Sequence, residues 1–87
     1  MAGGVRLAYY QKKDWDRFLE VIDDRDRMPD TWEEWHKEYL KVKSTLLAQG
    51  IVVIDFVVDI DELIIHCAMK GIKNDGKARS KFVLDRK

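Results

Sequence analysis

Between Gly50 and Lys70 the chain places Ile51, Val52, Val53, Ile54, Phe56, Val57, Val58, Ile60, Leu63, Ile64 and Ile65, broken only by the carboxylates Asp55, Asp59, Asp61 and Glu62. No other part of the sequence constrains the fold as much. Ile51 to Val58 is β-branched and nearly all apolar, the pattern of a strand buried on both faces. A strand cannot satisfy its own backbone groups, so it requires a neighbour. Two are available: the segment Val5–Tyr10, where Val5, Leu7 and Tyr9 alternate with Arg6 and Ala8, or the same strand of a second chain.

The rest of the block reads as a helix. Asp59 followed by Glu62 is a capping pattern, and Gly71 stands where a left-handed residue ends a helix, so residues 60–70 are expected to be helical. The alternative is a hairpin turning at 59–62 with 63–69 as a second strand. In the helix, Ile60, Leu63, Ile64, Cys67 and Ala68 share one face. Ile65 and Met69 fall opposite, beside Asp61, Glu62 and His66.

The longest helix lies upstream. Thr31 and Glu34 form a capping box, Pro29 stands just before it, and Gly50 marks the far end. Trp32, Trp35, Tyr39, Val42 and Leu46 make one stripe, flanked by His36, Leu40 and Leu47, an arc wide enough to touch two partners. A shorter helix is expected over 15–24, with Asp14 as its cap and Trp15, Phe18, Leu19 and Ile22 inward. A last one is expected over 77–84, capped by Asp75. Residues 1–4 read as a disordered leader. The fold class is therefore α+β and mainly helical, in a single domain over 1–87, with about four helices, a long central helix and one or two short strands.

With 87 residues, such a domain buries only about 60–65% of its unfolded surface, so self-association is a natural supplement. The lone cysteine, Cys67, cannot form an intrachain disulfide, which points to a reducing, cytoplasmic setting. The carboxylates at 55, 59 and 61 interrupt the only run that approaches membrane-spanning length.

Candidate chemistry is sparse. Asp59, Glu62 and His66 could approach a divalent ion from one helix face, but no second histidine stands at ligand spacing and the acids do not match a calcium loop. Helix capping by Asp59 and a surface role for His66 explain them better. Cys67 and His66 are adjacent and diverge by about 100° on a helix, and Cys67 lies on the apolar side, where thiols are packing groups. The five glycines form no phosphate loop. No catalytic residue and no cofactor is expected. The rings Trp15, Phe18, Trp32, Trp35 and Tyr39 suit a small core better than a base-stacking platform.

Charge is segregated although the formal net charge is zero: residues 1–50 carry −1, residues 51–69 carry −4, and residues 70–87 carry +5. The basic end suggests a nucleic-acid surface formed by Lys77, Arg79, Lys81 and Arg86. A helix-turn-helix is a poor fit, because the 71–75 connection is long and Lys70 and Lys77 occupy positions that motif packs with apolar groups. The leading expectation is a non-enzymatic, cytoplasmic protein acting through protein–protein contacts as a homodimer. Its surface would centre on Ile65 and Met69, with carboxylates such as Asp61 near cations of the other chain.

Overall fold

The computed structural model describes residues 4–85. It is a mainly helical α+β fold: β1 (Gly4–Tyr9), α1 (Trp15–Val21), α2 (Trp32–Ala48), β2 (Val52–Val57), α3 (Ile60–Lys70) and α4 (Gly76–Asp85), with short 3-10 turns at 12–14 and 25–27. Both predicted strands are present and they pair with each other, in parallel, in a register that sets Val5 beside Val53, Leu7 beside Asp55 and Tyr9 beside Val57. The neighbour β2 requires is thus Val5–Tyr10 of the same chain. Gly4, read from the sequence as part of a disordered leader, is the first residue of β1; residues 1–3 lie outside the described residues.

Side chains alternate across the two-stranded sheet. On one side Tyr9 meets Trp35, His36 and Tyr39 of α2 edge-on. On that side too, Asp55 accepts hydrogen bonds from the Tyr39 hydroxyl and, at 2.9 Å, from the Lys43 ammonium. Those bonds hold the Asp55 carboxyl below its usual range, the Tyr39 contact first. They let an acid sit in an otherwise apolar strand. On the other side Phe56 meets Phe82 of α4, and the Arg6 guanidinium donates to the carbonyl of Val83.

The expectation that 51–58 is buried on both faces is corrected. Val52 and Ile54 are 57% and 49% exposed, and Val57 is half exposed. The reason is coverage: α4 packs mainly over β1, so the Val52 and Ile54 side chains of β2 on that side are left open. The wide arc of α2 is corrected likewise, since Leu40, Val42 and Leu47 are exposed.

The core lies at the end of the sheet where both strands finish. Tyr10, Trp15, Phe18, Trp35, Val58, Ile60, Leu63, Cys67, Phe82 and Val83 are buried together. Tyr10 stacks on Phe18 with ring centroids 4.1 Å apart. The Trp32 indole N–H donates to the Tyr10 carbonyl at 2.7 Å, and that of Trp15 to the Asp30 carbonyl. The rings are thereby committed to packing, with their polar atoms satisfied.

Helix ends follow the capping logic. The Thr31 hydroxyl accepts from the Glu34 N–H and donates to its carboxylate. Gly50 takes a positive φ of 78° just beyond α2. Asp14 occupies the N-cap position of α1 without a side-chain cap bond, and the helix stops at Val21, three residues short of the expected Asp24. The chain must leave the helix there because Asp23 and Asp24 are held elsewhere: Asp23 N–H donates to the Asn74 carbonyl and its Oδ2 accepts from Asn74 N–H.

Candidate functional site

Two adjoining grooves border α3, and they contain most of the residues singled out by the sequence. The helix itself is fixed at both ends. Asp59 Oδ1 accepts the Glu62 N–H at 3.1 Å. At the other end Gly71, in the left-handed region at φ 63°, lets the N–H groups of Gly71 and Ile72 bond back to the carbonyls of Ala68 and Cys67. A hairpin over 59–69 is therefore excluded. Ile60, Leu63 and Cys67 point into the core.

The outer face of α3 sets two large apolar side chains among charged ones, uncovered by the described residues. Ile65 is 56% exposed and Met69 82%. With His66 and Phe82 they line a groove of about 470 Å³ between α3 and α4, with Glu62 at one end, Lys70 at the other and Asp85 on the α4 side. The His66 ring stands edge-on to Phe82 at 5.1 Å. Asp61, expected to meet a partner's cation, instead forms an intrachain ion pair with Arg17 of α1. It pins α1 to the start of α3. Both groups are exposed, so the link is a weak one.

The second groove, about 420 Å³, wraps the connector between α3 and α4. Lys70, Lys73, Lys77 and Lys81 line it, over a floor that includes Ile72 and Ala78. Its one acid, Asp75, caps α4: Oδ1 accepts the Ala78 N–H at 2.9 Å.

Of the four residues assigned to a nucleic-acid surface, Lys77 and Lys81 lie in this groove, and Arg86 lies outside the described residues. Arg79 must be removed from the set. It is 4% exposed, and its guanidinium makes a two-pronged contact with Asp24, Nη1 to Oδ1 at 2.9 Å and Nη2 to Oδ2 at 2.7 Å. It also donates to the Asn74 carbonyl at 2.9 Å and lies 5.3 Å from the Phe18 ring centroid. Burial opposes the Arg79 charge, but the bonds to Asp24 and the neighbouring Tyr10 together outweigh it and its pKa rises. The same bonds hold the Asp24 carboxyl below its usual value. Tyr10, beside this pair, is pushed up to about 12, chiefly by burial. Sequence reasoning grouped Arg79 with its charged neighbours. Its position three and four residues before Phe82 and Val83, on the apolar face of α4, was the available sign.

The metal set is not assembled. Asp59 is spent on capping, and among the described residues no three His, Cys, Asp or Glu side chains are grouped so as to hold an ion. Burial pushes the Cys67 thiol up, away from the reactive thiolate. Among the described residues no helix is long and apolar enough to cross a membrane. The chain matches no family model, no curated protein and no solved structure.

Proposed function

We propose that this protein is non-enzymatic, works through protein–protein contacts in a reducing cytoplasm, and takes as its partner a second copy of itself docked on the outer face of α3. The observation that carries the reading is the exposure of Ile65 and Met69 on one helix face, at the mouth of a groove. Two large apolar side chains exposed side by side at a groove make a surface that a partner would cover.

Charge selects the occupant. The apolar stripe has an acid, Glu62, at its start and a base, Lys70, at its end. Two such helices packed antiparallel about a two-fold axis near His66 set Glu62 of each copy against Lys70 of the other. Ile65 then comes within a turn of Met69 across the axis. A two-fold interface requires a surface complementary to itself, and an acid-to-base stripe meets that requirement. Parallel packing would set Glu62 against Glu62 and Lys70 against Lys70. Cys67 points away from this face into the core, where burial raises its thiol pKa.

Light scattering coupled to size exclusion should give a mass near twice 10.3 kDa at micromolar concentration, and Ile65→Glu should give one chain with its fold intact, since the site is exposed. A wild-type monomer even at roughly 100 micromolar, where only interactions weaker than about −5.5 kcal/mol would escape notice, ends the reading.

The antiparallel arrangement has its own test. Glu62→Lys and Lys70→Glu should each weaken the dimer by about tenfold, and an equimolar mixture of the two should recover it, because each supplies the charge the other lacks. Dissociation by Ile65→Glu without any effect of the charge variants would keep the α3 face and discard this geometry.

A further inference from the structure

The lysine groove beside the proposed interface has a different character, and we infer that it is a binding site for the phosphodiester backbone of nucleic acid, engaged without regard to base sequence. Lys70 from the end of α3, Lys73 from the connector, and Lys77 and Lys81 from α4 converge on one concave surface. All four are exposed. None belongs to an ion pair among the described residues, whose cationic partners are Lys12, Arg17, Arg25, Lys41, Lys43 and Arg79. Lys77 and Lys81 stand four apart on one helix, a spacing at which like charges repel. The fold thus brings four cations onto one surface whose one lining acid is Asp75, its carboxylate turned to the backbone of α4.

The composition of the groove selects the ligand. Its floor of Ile72 and Ala78 offers no ring for a base to stack on, and no arginine fork reaches into it, since Arg79 is turned inward to Asp24. Lysine ammonium groups are point charges that suit single phosphate oxygens. Contacts of that kind position a nucleic acid and carry no sequence information. The acids nearby limit the approach. Asp23, Asp24 and Asp26 line a depression on the other side of Lys73 and Lys77, so the backbone enters from the side of Lys70 and Lys81. The site replaces Arg79 with Lys70 and Lys73, and it needs no second copy of the chain.

The test uses the full chain and a labelled 20-nucleotide DNA, duplex and single-stranded, read by fluorescence anisotropy at about 50 mM salt. Four phosphate contacts predict that affinity for the duplex falls roughly hundredfold between 50 and 200 mM salt, and less steeply for the single strand. Lys73→Glu with Lys77→Glu should weaken binding by more than about tenfold. Lys13→Glu with Lys37→Glu changes net charge equally, away from the groove, and should leave binding within about threefold. Three results would each overturn the inference: no binding at the low salt, equal loss in both charge-reversal pairs, or competition by polyglutamate as effective as by unlabelled DNA. Lys70 is untouched in these variants, so a failure here leaves the self-association reading standing, and a monomeric protein that still binds DNA leaves this one standing.

Discussion

Arg79→Met is expected to lower the stability of the fold by about 2–4 kcal/mol, less than the cost of breaking a fully buried ion pair, because Arg79 is buried but Asp24 only partly so. The change removes both guanidinium bonds to the Asp24 carboxylate, and leaves the Asn74 carbonyl with the Asp23 N–H as its donor. For a domain of this size the melting temperature should fall by roughly 8–32 °C. The double variant Asp24→Leu, Arg79→Met should lose less than Arg79→Met alone, because no charge remains stranded. A loss below about 1 kcal/mol in the single variant, within the range of ordinary substitutions, would show that the pair does not join the two connectors.

This pair also sets a pH dependence. The Asp24 carboxyl is held below its ordinary value in the folded protein, chiefly by its hydrogen bonds to Arg79. Its contribution is therefore present above the ordinary carboxylate pKa and is lost as pH falls through the lowered one. Chemical denaturation at neutral and acid pH should show wild type losing more stability on acidification than the double variant.

Phe18→Ala should be comparably damaging. Phe18 has no exposed surface and stacks against Tyr10, tilts against Trp15 and lies under the Arg79 guanidinium. Truncating a buried ring of this kind removes about 3–5 kcal/mol. Typical stability scales to about 4–13 kcal/mol for a chain of this length, so the variant should melt far below wild type, and at the low end of that range it would be largely unfolded at room temperature. Loss of the near-ultraviolet dichroism of the tryptophans would report it. A cooperative melt within a few degrees of wild type, corresponding to about 1 kcal/mol or less, would place the centre of the core elsewhere.

What was legible in the sequence was local. Thr31 with Glu34, and Asp59 with Glu62, announce helix starts through groups three residues apart, Gly71 marks a stop, and α2 and α3 fall where those groups put them. Asp75 likewise caps α4. The β-branched run gave β2, and weak alternation in Val5–Tyr10 gave β1. What was not legible depends on distant neighbours. The exposure of Val52 and Ile54 follows from where α4 lies, which no periodicity within 51–58 encodes. The early end of α1 follows from Asp23 and Asp24 bonding to residues some fifty positions later. Arg79 was misread for the same reason, since its partner is 55 residues away. Of the candidate surface, Ile65 and Met69 were placed outward correctly by helical spacing, while the convergence of Lys70 and Lys73 with α4 required the turn at Gly71.

The same-direction pairing of β1 and β2 has a consequence for how the chain acquires its shape. Tyr9 ends one strand and Val52 begins the other, so the first cannot find its match until two helices have been made in between. Those helices can form within microseconds from nearby residues, whereas the sheet must wait for a long loop to close. During synthesis the N-terminal strand therefore leaves the ribosome early and stays without its ladder until residue 57 follows. Any chaperone that attends this protein would find Val5, Leu7 and Tyr9 available throughout that interval.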